Sequence, residues 1–100
     1  MTDTAVVLDQ KISKKVKEPD RFRVIIFDDS DTPFDWVVAV LVRVFNYTKD
    51  RAIELSRMID AEGMGVAGTY SYEIAEQKTS DAISLSRTNG YPLDLKIEKD

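Results

Sequence analysis

The sequence predicts a single α+β domain in which three helices lie on one face of a small three-stranded antiparallel sheet. Residues 22–27 form a run of β-branched and aromatic side chains, which is typical of a buried strand. Residues 93–98 alternate between apolar and charged side chains, the period-two pattern of a half-buried strand. Between these segments, apolar residues recur three and four positions apart, the spacing of helices that pack one face on a core. A chain of 100 residues is long enough for one such core.

The first half of the domain is predicted to run from strand to helix through an acidic turn. Residues 28–31 read Asp-Asp-Ser-Asp and end the first strand, because short polar side chains bond their own backbone. We expect the first helix to have Pro33 at its first position and Thr32 or Asp31 as its N-cap. The apolar face of this helix contains Val37, Val40, Leu41, Val44 and Phe45.

The second half is bounded by capping residues and glycines. Thr48 is the expected N-cap of a second helix, and Gly63 its left-handed end. A short strand over about residues 65–70 then leads to a third helix that begins after Ser71 and ends at Asn89-Gly90. The predicted order of elements is therefore β-α-α-β-α-β. The apolar positions of the two later helices include Ala52, Leu55, Ile59, Ile74, Ala75, Ala82 and Leu85.

The first 20 residues differ in character from those that follow. Residues 1–20 are polar and charged without sustained periodicity, which predicts a flexible N-terminal extension ahead of a folded domain over residues 21–100. No segment approaches the roughly 20 apolar residues that span a membrane, and residues 5–8 are too short for the apolar part of a signal peptide. The lack of cysteine suits a reducing compartment, so we expect a cytoplasmic protein. No exposed apolar repeat suggests assembly, so we expect a monomer.

The composition excludes several classes of function. The chain contains neither histidine nor cysteine, which removes thiolate zinc sites, cysteine nucleophiles and histidine-based triads. The net charge of -4 argues against nucleic-acid binding, which needs a clustered basic face. The one cluster of lysines lies within the predicted extension, at residues 11–17. No cofactor is expected.

The acidic turn is the densest group of charges, and it allows several interpretations. Asp31 and Asp35 are placed to complement the N-terminus of the first helix. A calcium loop is disfavoured, because the turn lacks a third oxygen ligand, a central glycine and a distal glutamate. Paired carboxylates can serve acid–base catalysis, but nothing else in the sequence supports a reaction. If an apolar hollow lies beside them, Asp28 and Asp29 can instead hold an amino terminus that carries a hydrophobic side chain.

Several motifs, in this order, resemble the ClpS family of protease adaptors. Residues 23–34, RVIIFDDSDTPF, are similar to the family's K-V-I-L-like strand and the N-D-D-x-T-P-M sequence that follows it. Residues 73–78, EIAEQK, resemble its E-V-A-E-T-K helix, and residues 91–93, YPL, its H-P-L terminal strand. The likeness covers about residues 21–99.

The resemblance implies an adaptor of the N-degron pathway and not an enzyme. Such adaptors bind the α-amino group and the large hydrophobic first side chain of a substrate. They then dock on the N-terminal domain of a hexameric Clp AAA+ ATPase of the ClpA or ClpC type. The resemblance places Glu73 and Lys78 on the docking surface, and Asp28, Asp29 and Asp60 at the substrate amino group. It implies a hydrophobic pocket lined or gated by Ile26, Thr32, Phe34, Val37, Ser56, Ile59 and Leu93.

The chain departs from the family pattern at five positions of the implied site. Asp28 replaces an asparagine, Ser30 an aspartate, and Asp60 the histidine that binds the α-amino group. Phe34 and Ser56 each replace a methionine of the pocket. These changes keep a second hypothesis open, in which the protein docks on the Clp ATPase without a working pocket and redirects or inhibits proteolysis.

Overall fold

A computed structural model describes residues 20–100 of the chain. Its elements are β1 (Phe22–Phe27), α1 (Phe34–Arg43), α2 (Lys49–Glu62), β2 (Met64–Tyr70), α3 (Tyr72–Thr88) and β3 (Asp94–Lys99). The predicted α+β class and the β-α-α-β-α-β order are confirmed. Of the predicted N-terminal extension, residues 1–19 lie outside the described residues.

The sheet is built around β1, which lies between β2 and β3 and pairs antiparallel with both. The register along β2 shifts once, since Val24 pairs with Gly68 whereas Ile25 pairs with Val66. The extra residue, Ala67, forms a bulge that bends β2 locally. The register along β3 is regular from Phe22 to Phe27.

The hydrophobic core lies between the sheet and the three helices. Val24 and Ile26 alternate along β1 on the covered face and are fully buried. The helix α3 buries only Ala75, Ala82 and Ser86, and these short side chains allow it to lie close to the sheet. The other buried apolar residues of this core are Val37, Val40, Leu41, Phe45, Ala52, Ile59, Ala67, Leu93 and Leu95.

Helix α2 begins and ends at the predicted residues. Arg51 N donates a hydrogen bond of 3.3 Å to Thr48 Oγ1, which caps α2. Gly63 ends the helix with a φ of 89°, in the left-handed region that favours glycine. Directly afterwards β2 passes close to α2, because a Cβ at Gly65 would lie 2.8 Å from Ile59 Cγ1. This close approach fixes the position of Ile59 relative to the sheet.

The start of the first helix differs from the prediction. Helix α1 begins at Phe34, and Pro33 is its N-cap with an extended ψ of 149°. Neither Thr32 nor Asp31 caps it, so that expectation was wrong. Thr32 lies one residue before the N-cap position, and its hydroxyl donates a hydrogen bond of 2.7 Å to a carboxylate oxygen of Asp29, which orients the side chain toward the turn. For the third helix, Ser71 is the N-cap residue as predicted, but its side chain makes no capping bond.

A tyrosine hydroxyl links the loop between α1 and α2 to the sheet. Tyr47 Oη donates a hydrogen bond of 2.7 Å to the carbonyl oxygen of Ala67, the bulged residue of β2. Burial raises the pKa of Tyr47, so its hydroxyl remains a donor at neutral pH.

Within residues 20–100, no helix combines the length and the apolar character required to cross a bilayer.

The burial of α1 predicts that alanine substitutions at two neighbouring positions lower the free energy of unfolding by different amounts. The side chain of Leu41 is fully buried, whereas Val42 is 37% exposed. Leu41→Ala should lower the free energy of unfolding by about 2–5 kcal/mol because it leaves a cavity. Val42→Ala, the matched control, should change it by less than about 0.5 kcal/mol. Urea denaturation followed by circular dichroism measures both values, and equal losses would contradict the orientation of α1.

Candidate functional site

A cavity of about 210 Å³ lies between the β1–α1 turn and the second helix. The two walls are joined by the backbone, because Asp28 N donates a hydrogen bond of 2.9 Å to the carbonyl oxygen of Gly63 at the end of α2. This bond brings the acidic turn against the last turn of α2. The residues that line the cavity are Asp28, Asp29, Ser30, Thr32, Phe34, Val37, Ser56, Ile59 and Asp60.

Asp29 determines the shape of the acidic turn. Its Oδ1 accepts a hydrogen bond of 2.8 Å from the backbone N–H of Asp31, and its Oδ2 accepts one of 2.7 Å from the Thr32 hydroxyl. The carboxylate therefore closes an Asx-type turn and is held in one orientation. Because each carboxylate oxygen has more than one acceptor position, Asp29 retains the capacity to bind a further donor.

The cavity is acidic at its mouth, and its buried lining combines apolar and hydroxyl side chains. Asp28 and Asp60 are exposed, from the turn and from α2 respectively, whereas Val37 and Ile59 are buried. Among residues 20–100, no lysine or arginine lines the cavity. In the described part of the chain, no group of three carboxylates is arranged to hold a metal ion. A cationic group attached to an apolar side chain matches this division, since the charge stays at the mouth and the apolar part is buried.

Ser56 and Thr32 are the buried polar residues of the cavity lining, and they differ in their hydrogen bonds. Ser56 is 2% exposed, and its Oγ has no hydrogen-bond partner among the described residues. A helical serine commonly bonds the carbonyl oxygen of the preceding turn, and Ser56 does not. The sequence marked Ser56 as a departure from the family pattern, but the unpaired state of its hydroxyl required coordinates.

Two residues that the resemblance placed in the pocket lie elsewhere. Ile26 and Leu93 do not line the cavity, and both are fully buried in the core. Ile26 faces the helix layer from the central strand, and Leu93 lies just before β3 in the same core cluster as Val37 and Ile59. Their side chains therefore support the floor from behind instead of forming its surface.

The two residues assigned to ATPase docking have different environments. Glu73 is exposed in the first turn of α3. Lys78 is half-buried, and its Nζ donates a hydrogen bond of 2.9 Å to the carbonyl oxygen of Val44, at the end of α1. The same ammonium lies 5.5 Å from the ring centre of Tyr70 and 6.0 Å from that of Phe45. Lys78 therefore stabilises the C-terminus of α1 within the protein.

A larger apolar groove of about 440 Å³ lies between α1 and α2 and was not predicted from the sequence. Phe34, Val38 and Val42 line it from α1, and Ile53 lines it from α2. The signal was present in the sequence, because these α1 residues recur every four positions on a face other than the core face. Phe34 lines both hollows and separates them.

The match to known proteins covers most of the chain. Residues 17–96 match the family model of ClpS, the ATP-dependent Clp protease adaptor protein. The chain belongs to the ClpS family. It is 39% identical to the ClpS of Treponema denticola over 88 residues, which is 88% of this chain and 87% of that relative. It is 37% identical to the ClpS of Caulobacter vibrioides strain NA1000 over 90 residues, or 90% of this chain and 83% of that one.

A solved ClpS structure shares the fold. The structure of Agrobacterium tumefaciens ClpS2 bound to L-phenylalaninamide superposes with a TM-score of 0.80 at 28% sequence identity. The match covers 83% of this chain and 100% of that one. Together these comparisons confirm the predicted family and the predicted class of function, an adaptor of a Clp protease.

Because Asp29 holds the turn, substitutions at Asp29 and at the adjacent Asp28 should lower the stability of the protein by different amounts. Asp29→Ala removes two acceptors and should lower the free energy of unfolding by about 1–2 kcal/mol. Asp28→Ala, at an exposed side chain, should change it by less than about 0.5 kcal/mol. Asp29→Asn keeps one carbonyl acceptor and should fall between them. Urea denaturation of the three variants tests the order, and a larger loss for Asp28→Ala would contradict this description of the turn.

Proposed function

We propose that this ClpS-family chain is a non-enzymatic adaptor that binds N-degron substrates and delivers them to a Clp AAA+ ATPase. It recognises the α-amino group and the bulky hydrophobic first side chain of the substrate. The observation that carries the proposal is the cavity with exposed carboxylates at its mouth and buried apolar side chains at its floor.

The substrate amino group is assigned to the mouth of the cavity. Asp28, Asp29 and Asp60 offer acceptors there, and Asp29 is already oriented by the turn. A protonated amino group has three N–H donors, so it can form charge-assisted hydrogen bonds with more than one of these carboxylates. Asp60 takes over the role of the family's histidine, as an acceptor that carries a full negative charge.

The first side chain of the substrate is assigned to the floor. Val37 and Ile59 provide apolar contacts, and Phe34 forms the wall toward the groove. Burial of one large apolar side chain contributes roughly 1.5–3 kcal/mol. The ligand of the related ClpS2 structure, L-phenylalaninamide, has the same two parts, an amino group and an aromatic side chain.

The surface proposed to dock on the ATPase surrounds Glu73 at the start of α3. Tyr72 and Ile74 flank this acidic residue and are 48% and 50% exposed, so apolar area is available beside the charge. The ring of Tyr72 packs edge-on against Phe22, with 5.1 Å between ring centres, at the first residue of β1. The N-terminal domain of a ClpA- or ClpC-type ATPase is the proposed partner.

The two proposed surfaces lie at opposite ends of β1. The cavity follows Phe27, and the docking surface adjoins Phe22. A strand of six residues is roughly 17 Å long at about 3.3 Å per residue. A substrate terminus and the ATPase can therefore be bound at the same time without overlapping. We propose that the protein does this as a cytoplasmic monomer.

A binding experiment tests the pocket. Labelled peptides that differ only at the first residue should bind when it is phenylalanine or leucine, with dissociation constants on the order of 1–10 μM. Acetylation of the amino terminus should abolish binding because it removes the charge. Asp60→Asn should weaken binding by about tenfold, which corresponds to roughly 1.4 kcal/mol.

The matched control for this experiment is Asp35→Asn, which makes the same change of charge at a residue that does not line this cavity. It should leave the dissociation constant within about twofold, since its carboxylate is exposed. Fluorescence anisotropy measures all of these constants. Equal binding of the free and the acetylated peptides would refute the assignment of the amino group.

The alternative function is a regulator that docks on the ATPase without a working pocket. It is favoured by the five altered site positions, among them Asp60 and Ser56. Degradation of a degron-headed substrate and of an internally tagged substrate by a Clp ATPase and its protease separates the two functions. An adaptor accelerates the first reaction, whereas an inhibitor slows both.

The docking surface has its own control in the same degradation assay. Glu73→Ala changes an exposed residue at the far end of β1 from the cavity. It should remove the acceleration while leaving the peptide dissociation constant unchanged. A loss of peptide binding in this variant would contradict the separation of the two surfaces.

A further inference from the structure

The unpaired hydroxyl at the floor of the cavity points to a particular first residue. We propose that Ser56 makes this pocket prefer tyrosine over phenylalanine and leucine as the first residue of a substrate. The inference rests on the proposed function and narrows its substrate class to first side chains that have a hydroxyl at the far end of an aromatic ring.

The hydroxyl of Ser56 is set apart from the other polar groups of the cavity. Asp28, Ser30 and Asp60 are exposed and can be hydrated. The buried Thr32 hydroxyl donates to Asp29 at 2.7 Å. Among the described residues that line the cavity, Ser56 alone has a buried side-chain polar atom without a partner. Such an atom is unfavourable until a partner reaches it.

The position of Ser56 on α2 is one helical turn from Asp60. The two residues are four positions apart and so lie on the same face of the helix. Four residues advance a helix by about 6 Å. If the substrate amino group bonds Asp60 at the mouth, a side chain that extends along α2 carries its distal end toward Ser56. In tyrosine that end is a hydroxyl, and in phenylalanine it is a C–H group.

The chemistry of the two hydroxyls is complementary. A phenol both donates and accepts a hydrogen bond, and so does the hydroxyl of serine. The direction of the Ser56 Oγ is set by a single side-chain torsion, the rotation about the Cα–Cβ bond. Phenylalanine fills the same space but leaves Ser56 unpaired, and leucine is also shorter. Sites that bond a ligand hydroxyl reject analogues without it, because the analogue leaves a buried polar group of the protein unpaired.

The experiment compares four peptides that differ only in the first residue: tyrosine, phenylalanine, leucine and 4-methylphenylalanine. The wild-type chain should bind the tyrosine peptide about fivefold to tenfold more tightly than the phenylalanine and leucine peptides, the gain expected from one net hydrogen bond. 4-Methylphenylalanine has nearly the shape of tyrosine without the hydroxyl. It should bind no more tightly than phenylalanine, which separates hydrogen bonding from size.

The variant Ser56→Ala should remove the preference for tyrosine over phenylalanine and bring the ratio of the two dissociation constants to about one. Ser84→Ala, an exposed serine of α3, is the matched control and should leave the ratio unchanged. Thermal unfolding of both variants verifies that they are folded. The comparison of tyrosine with 4-methylphenylalanine on the unaltered chain does not depend on any variant.

The outcomes distinguish this inference from the proposed function. Equal binding of tyrosine and phenylalanine by the wild-type chain, or an unchanged ratio in Ser56→Ala, overturns the role of Ser56 and leaves the N-degron pocket standing. Tight binding of 4-methylphenylalanine shows that the pocket selects by size and also overturns it. If none of the peptides binds, the proposed function fails and this inference fails with it.

Discussion

The hydrogen bonds on both edges of β1 are the constraint on which the arrangement of this protein depends. This strand is paired with β2 and β3 along its whole length, and its inward side chains Val24 and Ile26 are fully buried beneath the helices. Each end of such a strand has a fixed position relative to the helices around it. One end continues into the acidic turn, which the bond from Asp28 to Gly63 holds against α2. The other end lies beside the first turn of α3.

In the acidic turn, one side chain holds the backbone and is also proposed to contact the substrate. Asp29 uses both carboxylate oxygens to close the turn, so the geometry of the cavity mouth depends on it before any ligand arrives. A change at Asp29 would therefore alter the turn as well as the proposed contact with the substrate. The exposed Asp60 is a more direct probe of the proposed role of charge. The same reasoning applies to Lys78, whose ammonium stabilises the end of α1, so that Glu73 is the more direct test of the proposed docking surface.

Much of the fold could be predicted from periodicity, because burial on one face imposes a period on the sequence. The alternation of residues 93–98 and the left-handed stop at Gly63 located β3 and the end of α2. The N-cap of α1 could not be predicted in this way. Thr32 is a good capping residue by type, but the helix begins one residue later than expected, and the Thr32 side chain is oriented toward Asp29, three positions earlier. Propensity describes one residue at a time and does not include such a contact.

The site was predicted less completely than the fold. The motifs placed the residues of the turn and of α2 in one site. They could not show that Ile59 lines the cavity whereas Ile26 and Leu93 lie in the core without lining it. That distinction depends on how the sheet and the helices pack on each other. The hydroxyl of Ser56 illustrates the same limit, because whether a buried atom is paired is decided by its neighbours in space.

Phe34 gives the cavity an adjustable side. Its ring is 39% exposed and stands between the small acidic cavity and the larger apolar groove along α1 and α2. A change of its rotamer would alter the shape of both hollows. Phe34 is exposed and lies outside the buried core, so a substitution there would reshape the proposed binding cavity at little cost in stability.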